Sequence, residues 1–297
     1  MELKNISEII SFKKINLDKK RELIQNRMEK VNRLLDKIEK NSDLELYAMK
    51  YKSDSLKIFG YIFKHKNAKM NTPVVIHCRT GNNHPKYSVG ELTISSFYNH
   101  PLFKLVKENK IIIFASAYRG DRLSEGVDEF GGNDINDIVN LYPIIKKYKY
   151  TDESRIGLFG WSRGVMMALL VHKNVNWVKC LILIAGSADL SIDKEFRPKF
   201  YKKVLTEGFN LTEEDLHKRS AINWISELSD KVPILILHGT SDSAVSVENA
   251  YIFEDQFKKH NISHKIVIYD KGTHGLFEYL NEVNKESIDW IEKYILK

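Results

Sequence analysis

Residues 155–164 read Arg-Ile-Gly-Leu-Phe-Gly-Trp-Ser-Arg-Gly, a short apolar run that leads into a serine between two glycines. The run predicts a buried strand, and the small residues after it predict the start of a helix. A side chain at Gly160 or Gly164 would collide with neighbouring backbone in so sharp a turn. The helix N-terminus, including the backbone N–H of Arg163, would face negative charge that develops beside Ser162. We therefore predict that Ser162 is a nucleophile and Arg163 an oxyanion donor; the alternative is a simple turn.

Similar apolar runs alternate with helix-like stretches along the rest of the chain. The runs occupy residues 74–76, 111–114, 181–184, 234–237 and 266–268, and the helix-like stretches occupy residues 97–108, 133–147, 163–172, 247–260 and 281–296. This alternation predicts an α/β fold, with a mostly parallel central sheet that carries helices on both faces. Two earlier strands, at residues 44–46 and 56–62, are joined by a tight turn and predict an antiparallel edge.

Residues 189–230 interrupt the alternation with a basic aromatic stretch and two helical pieces. The segment follows a strand, so it would lie over the carboxyl ends of the strands, where open α/β sheets bind ligands. We predict a small cap insertion near residues 189–230, within a single catalytic domain of residues 43–297.

The net charge of +7 is concentrated near the N-terminus, where residues 13–40 contain ten Lys or Arg and five Asp or Glu. Apolar residues lie at helical spacing in this segment, which predicts an amphipathic helix within an N-terminal helical extension of residues 1–42. A solvated charged face is the simpler interpretation, and an arm for nucleic acid or an anionic membrane is the alternative. Because acidic residues are interleaved, we expect neither partner. The helix could also pack on a second copy and form a homo-oligomer.

The composition excludes several classes of protein. A chain of 297 residues that is 43% hydrophobic is folded rather than disordered. No apolar run approaches the roughly 18 residues of a membrane helix, and the first residues do not form a secretory signal, so we expect a cytoplasmic protein. Cys78 and Cys180 are too few for a disulfide framework. Metal-binding and nucleotide-binding motifs are absent from the sequence, so we expect no metal and no cofactor.

A serine nucleophile needs a base, and the base needs an acidic residue to orient it. Asp242 follows the apolar run 234–237, and His274 follows the run 266–268, so each lies in a loop after a predicted strand. This order of Ser, Asp and His along the chain is the order found in α/β-hydrolases. The alternatives are a helix cap for Asp242 and a surface loop for His274. His238 lies closer to its strand end, and we expect a structural role for it.

The motifs resemble those of the catalytic domain of prolyl-oligopeptidase-like serine hydrolases, a group that overlaps with dienelactone-hydrolase-like esterases. The matching segments are Gly-Trp-Ser-Arg-Gly at 160–164, Pro-Ile-Leu-Ile-Leu-His-Gly-Thr-Ser-Asp at 233–242 and Gly-Thr-His-Gly at 272–275. The resemblance implies an α/β-hydrolase fold with Ser162 as nucleophile, Asp242 as orienting acid and His274 as base. The sequence offers no stretch for the β-propeller of the large peptidases, so we expect a hydrolase domain alone.

We therefore expect a serine hydrolase that cleaves an ester or amide bond of a small-molecule or short-peptide substrate through an acyl-enzyme. The competing hypothesis is a non-catalytic α/β-hydrolase scaffold that binds partners through its basic N-terminal helix. The loop after the third strand, His77-Cys78-Arg79-Thr80-Gly81-Asn82, departs from the usual His-Gly-Gly pattern. It should still supply the second oxyanion donor, with Thr80 the first choice and Arg79 the rival.

Substrate-binding residues are harder to predict from this sequence. Trp161 and Tyr118 could line a pocket beside the nucleophile; packing is the alternative, since aromatic residues beside such a turn are as often packed. One of the acidic residues 125, 128 and 129 could hold a substrate amine, with Glu125 preferred because Gly126 frees the backbone to turn. A solvated loop is the alternative interpretation. Arg119 resembles a family residue that forms an ion pair with Asp134 or Asp137. We interpret Cys78 as a small buried filler, although a modifiable thiol is the alternative.

Overall fold

The computed structural model describes residues 1–15, 43–82, 100–121 and 123–297. Its strands are β1 (Ile9–Lys14), β2 (Leu44–Ser53), β3 (Leu56–His65), β4 (Thr72–Cys78), β5 (Ile112–Ser116), β6 (Thr151–Trp161), β7 (Val178–Ile184), β8 (Ile234–Gly239) and β9 (His264–Tyr269). They form one sheet in the order β1-β2-β3-β5-β4-β6-β7-β8-β9. Strands β4 to β9 pair in parallel, and β1, β2 and β3 add an antiparallel edge. The predicted mostly parallel sheet with an antiparallel edge is confirmed.

The helices flank this sheet. They are α1 (Phe103–Lys107), α2 (Asn136–Val139), α3 (Tyr142–Lys147), α4 (Arg163–Asn174), α5 (Asp193–Phe196), α6 (Pro198–Phe200), α7 (Glu213–Arg219), α8 (Glu248–Lys259) and α9 (Leu280–Tyr294). Shorter 3-10 turns occupy Leu3–Asn5, Asn133–Ile135, Leu190–Ile192, Ala221–Asn223, Ile225–Glu227 and Phe277–Tyr279, and a π-helical turn occupies Tyr201–Thr206. None of the helices in the described ranges is long and apolar enough to cross a membrane.

Two apolar clusters cover the two faces of the sheet. Along β4, Val74 and Ile76 belong to one cluster, and Val75 between them belongs to the other. Ala168 of α4 packs in the first cluster and Ile291 of α9 in the second. Both faces of the central strands are therefore buried, and this is why their sequences are solidly apolar instead of alternating.

The predicted N-terminal helical extension can be compared with the structure only over residues 1–15. Residues 9–14 form β1, which pairs with β2 at the edge of the sheet, so the predicted helical conformation is wrong there. Five of the six residues of β1 are exposed. An edge strand of this kind lacks the alternation of apolar and polar residues by which strands are predicted from sequence. The amphipathic pattern of residues 17–38 lies outside the described residues.

The segment between β7 and β8 forms the predicted insertion of short helices. Thr212 caps α7, because its hydroxyl oxygen accepts the backbone N–H of Asp215 at 3.1 Å. Leu216 and Trp224 are buried and fix this segment to the first apolar cluster. The insertion is therefore packed on the apolar cluster that also contains α4.

Candidate active site

The turn between β6 and α4 holds Ser162 in a conformation that few non-glycine residues adopt. Its φ is 55° and its ψ is −121°, and its backbone N–H donates to the Ile184 carbonyl oxygen at 2.8 Å. A Cβ on Gly160 would lie 2.3 Å from the Gly164 carbonyl oxygen, and one on Gly164 would lie 2.1 Å from the Cys78 carbonyl oxygen. Both glycines are therefore required for the helix, the turn and β4 to approach so closely. Backbone strain of this kind persists where the surroundings fix it, commonly at functional sites.

Asp242 and His274 meet beyond the ends of β8 and β9. The Nδ1 atom of His274 lies 2.8 Å from the Oδ2 atom of Asp242. The other carboxylate oxygen of Asp242 accepts the backbone N–H groups of Ala244 at 2.7 Å and Val245 at 2.8 Å. Asp242 is thus both a cap for its loop and the partner of His274, so the two interpretations of this residue are compatible.

The charge of Asp242 is stabilised although the residue is buried. Burial alone would raise the pKa of its carboxyl group, but hydrogen bonds with His238 and His274 and the charge of His274 lower that pKa well below the ordinary value. The carboxylate is therefore ionised at all ordinary pH values. An ionised oxygen beside Nδ1 keeps the Nδ1 proton in place and leaves Nε2 free to accept one.

Trp161 connects the serine turn to the histidine loop. Its indole Nε1–H donates to the backbone carbonyl oxygen of His274 at 3.2 Å. Ser162 and His274 are both half-buried. Within the described ranges, no hydrogen bond joins the Ser162 hydroxyl group to the His274 ring; such contacts often tighten only when substrate is bound.

Two buried arginines fix the loop that follows β4. Arg79 is 1% exposed, and its guanidinium donates to the carbonyl oxygens of Ala117 and Thr80, each at 2.9 Å. Arg163 donates from Nη1 to the Gly81 carbonyl oxygen at 3.0 Å. The loop is therefore held against the start of α4, where the backbone N–H of Arg163 lies. Thr80 as the second oxyanion donor, with Arg79 as its rival, stays a prediction.

The acidic loop is only partly available to a substrate. Asp128 is 5% exposed, and its two oxygens accept from the Arg163 guanidinium at 2.8 and 2.6 Å. Glu129 accepts the backbone N–H of Asn133 at 2.8 Å. The carboxylate of Glu125 is half-exposed, accepts the backbone N–H of Lys57 at 3.0 Å and lies 3.5 Å from that lysine's Nζ atom. Glu125 as an amine anchor stays a prediction.

Of two further predictions about single residues, the one for Tyr118 needs correction, and the expected ion pair of Arg119 is formed with Asp137. Tyr118 is fully buried, with the Arg79 guanidinium 4.6 Å from its ring centre, so it packs behind the serine turn instead of lining an open pocket. Arg119 pairs with Asp137, whose oxygens accept from its backbone N–H at 2.7 Å and from Nη2 at 2.8 Å. Asp134 is instead a partner of Arg163. Sequence alone could not distinguish these two carboxylates, because they lie three residues apart.

Cys78 and His238 are both buried next to the candidate site. Burial raises the pKa of the Cys78 thiol, which fits the filler interpretation and not a reactive thiol. The Nε2 atom of His238 lies 3.0 Å from the Val245 carbonyl oxygen and 3.3 Å from Asp242 Oδ2. His238 is structural, as expected, but it also contacts the candidate orienting acid. In the sequence, the signal for this contact was the spacing of four residues between His238 and Asp242.

Similar proteins are found by family, by sequence and by structure. Residues 105–297 match the prolyl oligopeptidase family. An uncharacterized peptidase of Bacillus subtilis, YtmA, is 25% identical over 167 residues, which cover 55% of this chain and 64% of that protein. An acylaminoacyl peptidase of Pyrococcus horikoshii has a TM-score of 0.69 at 20% identity, over 90% of this chain and 44% of that one. An S-formylglutathione hydrolase of Agrobacterium tumefaciens has a TM-score of 0.63 at 14% identity, over 85% and 95% of the two chains.

The structural neighbours establish the α/β-hydrolase fold, and the chain spans less than two thirds of the length of the first relatives in sequence. The family match includes the serine turn at 160–164 together with Asp242 and His274. It also extends over the cap and over α8 and α9, so it covers most of the described catalytic fold. The chain belongs to the prolyl oligopeptidase family.

Proposed function

We propose that this protein is a serine hydrolase in which Ser162 is the nucleophile, His274 the general base and Asp242 the orienting acid. It cleaves an ester or amide bond of a small acyl or peptide-like substrate. The observation that carries the proposal is the 2.8 Å contact between Asp242 Oδ2 and His274 Nδ1, in the loops beside a strained serine turn. A scaffold without catalysis has no need of an ionised buried carboxylate behind a half-exposed histidine.

The reaction proceeds in two steps through an acyl-enzyme. His274 Nε2 takes the proton of the Ser162 hydroxyl group while the serine oxygen bonds to the substrate carbonyl carbon. The backbone N–H of Arg163 and an amide of the 79–81 loop stabilise the negative oxygen that forms. His274 then gives its proton to the leaving group as the bond to it breaks. A water molecule, deprotonated by His274, then bonds to the acyl carbon; the bond from that carbon to the Ser162 oxygen breaks, His274 returns its proton to that oxygen, and the acid is released.

The nature of the leaving group is the open part of the proposal. The similar proteins include peptidases and a hydrolase of S-formylglutathione, which is a thioester. Fold alone does not select among these bonds. A triad with an oxyanion site acts on all of them, and thioesters and activated esters are the least demanding substrates. These substrates therefore give the most direct assay of the proposed triad.

The test is labelling by a fluorophosphonate probe, which reacts with an activated serine and needs no knowledge of the substrate. We expect strong labelling of the wild-type protein, none in Ser162→Ala, and loss of about 10³-fold or more in rate for His274→Ala. Ser226→Ala, which changes an exposed serine in the cap, is the matched control. Absence of labelling in a folded wild-type protein, or persistent labelling of Ser162→Ala, would overturn the proposal.

A further inference from the structure

One cation of the cap differs from its basic neighbours. Lys194 and Lys199 are exposed, whereas Arg197 is half-buried between α5 and α6. The Nη1 atom of Arg197 donates to the Ala244 carbonyl oxygen, and the guanidinium carbon lies 3.9 Å from the ring centre of Phe200. The side chain is therefore fixed in position by a hydrogen bond and by an aromatic surface.

The backbone of Arg197 is fixed as well. Its N–H donates to the Asp193 carbonyl oxygen at 3.0 Å, and its own carbonyl oxygen accepts from Tyr201 at 2.9 Å. Pro198 follows it, which prevents the helix from continuing unbroken through this position. Arg197 is thus held in place through its backbone as well as through its side chain.

The Arg197 guanidinium forms few hydrogen bonds for a side chain that is half-buried. An arginine carries five N–H donors, and within the described ranges only the bond to Ala244 uses one of them. No carboxylate among the described residues lies within 4 Å of it. Burial lowers the pKa of Arg197, while the charges of Asp193 and Asp242 act in the opposite direction from a greater distance. Because the side chain is only partly buried, its unused donors remain accessible to an anion, which would give the guanidinium the charged partner that the described residues do not supply.

The topology places Arg197 beside the candidate triad. Ser162 follows β6, the cap follows β7, and Asp242 follows β8, and these three strands are neighbours in the sheet. Neighbouring strands lie about 4.8 Å apart, so β6 and β8 are separated by about 10 Å. The residue that Arg197 contacts, Ala244, is two residues from Asp242. Arg197 therefore lies against the loop that carries Asp242, at the same edge of the sheet as Ser162.

We propose that Arg197 binds a carboxylate on the acyl portion of the substrate, so that the enzyme prefers a glutamyl or aspartyl acyl group. The inference rests on the proposed function of Ser162. In this assignment the acyl group extends toward the cap, which follows β7, and the leaving group extends toward His274, which follows β9. A planar guanidinium stacked on Phe200 matches a carboxylate through two parallel hydrogen bonds.

The test compares substrates that differ only in charge. N-acetyl-glutamyl and N-acetyl-aspartyl thiobenzyl esters are assayed beside their glutaminyl and asparaginyl counterparts, with release of the thiol as the readout. We expect the wild-type protein to show a higher kcat/KM for at least one acid than for its amide. A charge-assisted contact of this kind corresponds to a preference of roughly 10- to 150-fold. Arg197→Gln should remove the preference, and Arg197→Lys should retain part of it.

The ratio of the two rates is the deciding quantity, because loss of the bond to Ala244 can also disturb the Asp242 loop and lower both rates together. Lys199→Gln removes a positive charge from the same cap segment and should leave the ratio unchanged. Labelling by the fluorophosphonate probe tests Ser162 separately in every variant. A labelled wild-type enzyme without a preference for either acid overturns this inference and leaves the proposed function intact. A preference that survives Arg197→Gln, or disappears in Lys199→Gln, also overturns it.

Discussion

Asp193 is a buried carboxyl group whose protonation depends on the packing of the cap. The residue is 6% exposed, and burial raises its pKa to about 6, despite the opposing attraction of Arg197. The same group in an unfolded chain has a pKa of about 3.9. Because the folded state holds this proton more tightly, its contribution to stability is fully present below about pH 4 and is lost as the pH rises through about 6.

We expect Asp193→Asn to remove that loss, since an amide has no charge to bury. The free energy of unfolding at pH 7.5 should rise by roughly 1–3 kcal/mol relative to the wild-type protein, with little change at pH 4. Urea unfolding at the two pH values measures this difference. Asp230→Asn, an exposed change in the same insertion, is the control. An identical pH dependence in the wild-type protein and Asp193→Asn would show that burial of this carboxyl group does not matter.

At the scale of elements, the contact between α4 and the end of β4 brings the serine turn against the oxyanion loop. We expect Gly164→Ala to force these elements apart, because the new Cβ would lie 2.1 Å from the rigid Cys78 carbonyl oxygen. Overpacking of this kind lowers the free energy of unfolding by about 1–3 kcal/mol, so most of the protein should stay folded. The rate of fluorophosphonate labelling should nevertheless fall strongly. Gly157→Ala is the matched control, because its Cβ would first meet the Cys180 sulfur atom at 3.3 Å. Normal labelling of Gly164→Ala would contradict the requirement for close approach.

The elements near the site were predictable for a physical reason. Strands β4 to β9 are covered on both faces, so their sequences are solid apolar runs, and the loop after each parallel strand points to one edge of the sheet. The order of Ser162, Asp242 and His274 could therefore be read along the chain. Strand β1 could not, because its side chains are mostly exposed and carry no burial pattern. The carboxylate partners of Arg163 could not be predicted either, because the sequence does not show which of several acidic residues lies next to it.

Over the whole molecule, a buried ion-pair network links three separate parts of the chain. Arg163 at the start of α4 binds Asp128 and Asp134 from the loop after β5, and it also binds the Gly81 carbonyl oxygen after β4. Arg79 lies 3.7 Å from Asp128 on the other side. Because the charges are buried, each cation depends on its carboxylate, and the network couples the oxyanion loop to the serine turn.

We expect Asp128→Asn to lower the free energy of unfolding by about 3–5 kcal/mol, because Arg163 would keep only Asp134 as a carboxylate partner and Arg79 would lose the carboxylate that lies 3.7 Å from it. Replacing both residues, as Asp128→Asn with Arg163→Met, should recover part of that loss. Burial raises the pKa of Asp134 to about 6, so this group can take up a proton once Arg163 is gone. Urea unfolding of both variants is the measurement, and Asp289→Asn, which breaks the exposed pair with Lys285, should change stability by about 1 kcal/mol or less. If the double variant is less stable than Asp128→Asn alone, the cost does not come from the lost contact between Asp128 and Arg163.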